Sequence, residues 1–294
     1  MLYVYLDTSF LSEFVIVHKE KTATSSNNEQ WINLLEILSK GVSHEKILCP
    51  ASQFQTEEAM LAEGIFEEFT SLQFDLSKGY YFRKYQDIVV QQVKNLLLIY
   101  LKRAQDIELG WKVFIKIPPP VRDSLETAKS KLNMTQYAEN ARLLRNKFSR
   151  KQSYDDYYKE EKKAFLQQSF LNPESELCAM LISEVKLRKE EILMLRSFLN
   201  PDSVESVPFI NIFCSLWAST IYHEQTRKYE IGDLLDIVAL ACAIPYCQIV
   251  TTDNNMKNII KRLHLDEKYR VSVYSPGRKD LILLKEHLCK LGCV

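Results

Sequence analysis

Residues 231–255 read IGDLLDIVALACAIPYCQIVTTDNN, and this segment sets the expected architecture. Two aspartates, Asp233 and Asp236, precede an apolar run rich in small residues; the run halts at Pro245 and resumes as QIVTT before Asp253. The first part reads as a buried helix with acids near its start, where the helix dipole favours negative charge. The second part, 248–252, reads as a short β-branched strand that hands Asp253 to its carboxyl end. A helix leading into a strand is half of a parallel βαβ unit, and open α/β sheets place their chemistry at the carboxyl ends of strands.

The N-terminus repeats the device on a smaller scale. LYVYL, 2–6, is an apolar run that reaches Asp7 at once and is followed by Thr8 and Ser9. It reads as a strand, with helices expected over 8–18 and 29–39 on either side of the polar loop 22–28. A second strand is expected over 47–49, stopped by Pro50, and then a helix over 52–69 that carries Glu57 and Glu58. From 76 to 229 the spacing predicts helix almost throughout, broken at Pro118-Pro119-Pro120, Asn172-Pro173 and Asn200-Pro201. A last strand is expected over 270–274 and a last helix over 280–291. Strands at both ends and none in the middle predict a discontinuous α/β domain, 1–75 and 205–294, interrupted by a helical insertion, 76–204.

Composition narrows the function. The chain has 294 residues and only 7 glycines, about a third of the ~7% of an ordinary globular protein. Neither G-x-G-x-x-G nor G-x-x-x-x-G-K-[ST] occurs, which argues against a Rossmann dinucleotide site and a P-loop. The 7 cysteines show no C-x-x-C spacing and the 5 histidines are dispersed, so neither a disulfide framework nor a zinc site is expected. MLYVYLDTSF lacks the basic start and long apolar run of a signal peptide, and no stretch of ~18 apolar residues occurs. A cytoplasmic protein with no membrane partner is expected.

The 38 basic and 38 acidic side chains cancel, but they are segregated. Residues 1–81 hold 5 basic against 12 acidic side chains, whereas 82–151 hold 15 against 6. The positive stretch includes Arg142, Arg145, Lys147, Arg150 and Lys151, with Tyr137, Phe148 and Tyr154 nearby. Basic groups interleaved with aromatics suit single-stranded nucleic acid, the phosphates taking the charge and the bases stacking on rings. A solvated helix face with acidic partners at i,i+4 explains any one of these residues as well. Lys257, four residues after Asp253, is a further candidate phosphate contact.

Asp7 and Asp253, each at the end of a strand, form the start of an acidic edge. Glu58 follows the second strand and Asp236 opens the helix before a later one. Such hard oxygen donors suit Mg²⁺ or Mn²⁺. Each acid also has a plain structural explanation: Asp7 and Asp253 as strand-end Asx turns, Asp233 as an N-cap, Glu57 and Glu58 as a solvated pair.

The ordered set VYLDTSFL with Asp7, Pro50-x-Ser52 followed by Glu58, and GDLLDIVALACAIPYCQIVTTD with Asp233, Asp236 and Asp253 resembles the PIN-domain nucleases over 1–75 and 205–294. The resemblance implies a three-layer α/β/α fold around a short central parallel sheet, and a divalent-metal-dependent endonuclease whose expected substrate is RNA. It implies Asp7, Glu58, Asp236 and Asp253 as catalytic carboxylates that hold Mg²⁺ or Mn²⁺. Asp233 is a further candidate ligand, and Thr8 or Ser9 would orient the first carboxylate. Residues 76–204 have no counterpart in a minimal PIN domain and are expected to serve RNA, a protein partner or a second copy of the chain. Toxin, defence and processing nucleases share this pattern. The competing expectation is a catalytically silent scaffold of the same fold that binds RNA or protein. A phosphatase-like hydrolase with Asp7 as nucleophile is disfavoured, because Ser9 stands where such enzymes commonly carry a second acid.

Overall fold

The N-terminal apolar run forms strand β1 (Leu2–Tyr5), followed in chain order by β2 (Ile47–Leu48), β3 (Tyr80–Phe82), β4 (Phe114–Lys116), β5 (Ile249–Thr251) and β6 (Ser272–Tyr274). The structure is a computed structural model that describes residues 1–20, 26–59, 64–117, 153–223 and 231–292. Among these the fold is mixed α/β, with a four-stranded parallel sheet in the order β2-β1-β5-β6. Val4 pairs with Ile249 and Tyr5 with Val250 across β1 and β5.

Contacts divide the chain into two units. The first comprises 1–83, 113–117 and 243–292 of the described residues, and the second 84–112, 153–223 and 231–242. Residues 205–223 and 231–242, expected with the terminal α/β domain, group with the second unit.

In the first unit, β1 leads through α1 (Thr8–Glu20) and α2 (Ser26–Ser43) to β2. The core follows from spacing. Trp31, Leu34, Leu38 and Val42 recur along one face of α2, and Phe10 and Phe14 recur along α1, so both stripes are buried together. The two phenylalanine rings meet Trp31 edge-on at 5.0 and 5.4 Å, contacts worth about 0.5–1.5 kcal/mol each beyond burial. The expected helix over 52–69 is two helices, α3 (Gln53–Ala59) and α4 (Phe66–Ser77), with Gly64 at φ +80 between them.

A further expectation is corrected. Tyr80–Phe82 and Phe114–Lys116, inside the stretch expected to be almost wholly helical, pair as an antiparallel ribbon. Three-residue runs are too short to display alternation, and the partner strand lies far along the chain, so local periodicity could not reveal them.

The second unit is helical: α5 (Tyr85–Tyr100), α6 (Tyr154–Ser169), α7 (Glu176–Val185), α8 (Lys189–Phe198), α9 (Pro208–His223) and α10 (Ile231–Ala243), the last ending at the boundary. Helix α9 is buried on all sides from Phe209 to Ile221, the signature of a central helix. Ser153 and Asp156 close a capping box at the start of α6. Phe165 of α6 packs against Phe213 and Phe209 of α9 at 5.4 and 6.3 Å.

The chain returns to the first unit with β5, then α11 (Asn254–Arg262), α12 (Leu265–Tyr269), β6 and α13 (Arg278–Lys290), whose Leu281, Leu284 and Leu288 complete the core. Among the described residues no helix is long and apolar enough to cross a membrane.

Candidate functional site

Neighbouring strands β1 and β5 send their connections in opposite directions, β1 toward β2 and β5 toward β6. Their carboxyl ends therefore form the switch point of the sheet, where divergent loops leave a crevice for ligands. Asp7 and Asp253 flank this junction, one from each strand. The Asp7 N–H donates to Thr251 Oγ1 at 2.8 Å and so ties the two strand ends together.

Asp7 also starts α1, its carbonyl accepting from the N–H groups of Phe10 and Leu11 at 3.0 and 3.2 Å. Its side chain turns onto the first turn of the same helix, where Oδ2 accepts from the Ser9 hydroxyl at 2.7 Å. Burial pushes the Asp7 carboxyl above its usual range; the Ser9 hydroxyl and the Ser9 and Thr8 amides oppose the rise, and the charge of Asp253 adds to it. Glu58 arrives from α3, with Oε2 accepting from the Thr8 hydroxyl. Burial raises it too, Thr8 opposes, and the charges of Asp7 and Glu57 add to the rise. Glu57 accepts from Gln53 Nε2 at 2.6 Å and is likewise raised by burial.

The structure therefore brings together Asp7, Thr8, Ser9 and Glu58, with Asp253 near enough for its charge to act on Asp7. Asp253 itself adopts the plain strand-end role: its Oδ1 caps α11 by accepting from the N–H groups of Asn255 and Met256 at 2.6 and 2.9 Å. Asp233 and Asp236 lie half-buried in the first two turns of α10, in the second unit, each with interactions of its own. Ile231 and Gly232 are already helical, so Asp233 is inside the helix rather than at its cap.

The candidate basic residues Arg142, Arg145, Lys147, Arg150 and Lys151 lie outside the described residues. Lys257 is committed locally. Its ammonium donates to Asp280, which also accepts from the Ser275 N–H at 2.7 Å and the Ser275 hydroxyl at 2.6 Å. Burial alone would raise the Asp280 carboxyl, but the bonds from Lys257 and Ser275 outweigh it and hold the group low.

Two glutamines that no sequence motif marks belong beside this edge. Gln55 and Gln73 are each 2% exposed. Gln55 Nε2 donates to the Leu6 carbonyl, while its Oε1 accepts from the Ser52 N–H at 2.7 Å and Gln73 Nε2 at 2.9 Å. Thr56 donates to Gln73 Oε1 at 3.1 Å and closes the network. A signal existed: Gln73 stands on the apolar stripe Phe66, Phe69, Leu76 of α4, where a polar residue requires buried partners.

The donor set at the edge is all oxygen; beyond burial, the charge of Asp253 makes Asp7 harder to ionise, and the charges of Asp7 and Glu57 do the same to Glu58. That chemistry fits a hard divalent cation, which would remove the repulsion. Among the described residues, however, no group of three or more His, Cys, Asp or Glu side chains is arranged to hold a metal ion. A cavity of about 840 Å³ in the same unit, lined by Val15, Ile32, Leu35 and Leu72 among others, includes none of these edge acids. No protein-family model, curated protein or solved structure matches the chain.

Proposed function

We propose that the protein is a PIN-like, divalent-metal-dependent endonuclease acting on RNA, with the three-layer α/β/α arrangement of that family around its parallel sheet. The observation that supports this most is the pairing of Asp7 and Glu58 at the switch point of the sheet, linked through Thr8 and flanked by Asp253. Asp7 and Glu58 are the residues that would hold Mg²⁺ or Mn²⁺. When bound, the ion supplies charge neutralisation at the scissile phosphate and a nucleophile at neutral pH.

The chain's own groups do the positioning. Ser9 fixes one Asp7 oxygen, Thr8 fixes one Glu58 oxygen, and Thr251 holds the Asp7 backbone against β5. Asp253 contributes negative charge from the far side of the junction while it caps α11. Asp236 and Asp233 enter this proposal through the sequence motif, as does the basic stretch around 142–151 as an RNA contact. Incubation of a 5′-labelled single-stranded RNA with Mn²⁺ or Mg²⁺ tests it: cleavage by the wild type, with loss in EDTA, in D7N and in D236N, is expected. Cleavage that persists in EDTA or in D7N contradicts it.

One observation favours a second reading. Asp253 spends a carboxylate oxygen on capping, as it would in a scaffold that binds RNA or protein without cutting. That reading predicts RNA retention in EDTA with no cleavage under any metal.

A further inference from the structure

Asp7 is stitched to α3 on both of its chain sides. The residue after it, Thr8, donates its hydroxyl to Glu58, and the residue before it, Leu6, accepts through its carbonyl from Gln55. Gln55 and Glu58 are three residues apart on α3 and so share a helix face. The Gln55 amide is used at both ends, because its oxygen accepts from the Ser52 N–H and from Gln73 of α4. Its donor is therefore turned toward Leu6 by two fixed neighbours, and amide rotation would set donor against donor. This is more than filling. A buried aliphatic side chain would pack the same space but would leave the register between 6–8 and 55–58 to the single Thr8 bond.

We infer that Gln55 is a positioning residue for the cation-holding pair: it sets the separation of Asp7 and Glu58 through Leu6, with Gln73 as its anchor. The inference rests on the proposed metal-dependent site. Ligands held by outer hydrogen bonds bind metal about 10–100-fold more tightly than those left loose, so the amide acts on affinity through pre-organisation. A role confined to stability would act on melting alone.

The test titrates Mn²⁺ into the full-length chain and follows the free ion by electron paramagnetic resonance, beside thermal melting in EDTA. Q55M is expected to weaken Mn²⁺ binding about 10–100-fold. Q73M, which keeps the Leu6 bond and loses only the anchor, is expected to weaken it measurably but less than Q55M, and serves as the readout if Q55M does not fold. Lowered melting in both variants with unchanged Mn²⁺ affinity overturns the inference and leaves the proposed site standing. A wild type that binds no Mn²⁺ overturns both.

Discussion

Two regions bury carboxyl groups in opposite ways. At the sheet edge, Asp7 and Glu58 each accept a hydroxyl and lie within reach of other acids. In the helical unit, Glu161 of α6 is 5% exposed, and among the described residues its Oε1 has no hydrogen-bond partner. Burial, with a smaller contribution from Glu160, pushes Glu161 up to about 8. Its neighbour Lys162 offers no relief, being engaged by Glu205 at 3.3 Å and placed 4.2 Å from the centre of the Tyr158 ring. Desolvation acts in both places, but the means of relief differ. A cation can relieve the edge, where acids gather, whereas Glu161 stands apart and takes a proton.

The largest expected effect breaks the edge alone. D7N should lower Mn²⁺-dependent RNA cleavage on the order of 10³-fold, as expected for loss of a ligand that sustains several kcal/mol of transition-state stabilisation. The same variant should melt higher than wild type in EDTA at pH 7. Asp7 is raised in the fold, so its stabilising contribution is complete below pH 3.8, the ordinary value, and is lost as pH rises through the folded value. Asparagine removes that loss.

Mn²⁺ at about a hundredfold excess over its dissociation constant should stabilise the wild type by about 2.7 kcal/mol, a melting shift of roughly 5–10 °C, and should leave D7N near its metal-free value. An equal shift in D7N would erase the contrast between the two regions.

Glu161 sharpens the comparison from the other side. Its contribution is complete below pH 4.5 and is lost as pH rises toward about 8. Wild-type melting should therefore fall by roughly 10 °C between pH 5 and 8.5 with Mn²⁺ present, and E161Q should flatten that slope. A slope that survives in E161Q assigns it elsewhere.

The smallest expected change is in K257M. Removal of the ammonium leaves Asp280 with Ser275 alone, and melting should drop by roughly 3 °C. A larger loss of RNA binding than of stability would return Lys257 to a phosphate-contacting role.

Much of this arrangement was legible in the sequence. The short apolar runs ending at Asp7 and before Asp253 marked two strands of the parallel sheet, and the acids at their ends marked its edge. The ribbon β3–β4 was not legible, because pairing between distant three-residue segments leaves no local period. The capping of α11 by Asp253 was anticipated as an Asx turn but could not be ranked against ligation from spacing alone. Gln55 escaped because its importance depends on the Leu6 carbonyl and on Gln73, partners that only the fold brings to it. Glu161 escaped for a similar reason: among the charged residues of 159–163 it looks solvated, and only the fold buries it.

The most direct test of the central claim is anomalous scattering from crystals grown or soaked in Mn²⁺. The account predicts a peak bonded to carboxylate oxygens of both Asp7 and Glu58, at about 2.0–2.3 Å. Ordered Asp7 and Glu58 side chains with no peak between them at saturating Mn²⁺ would contradict it.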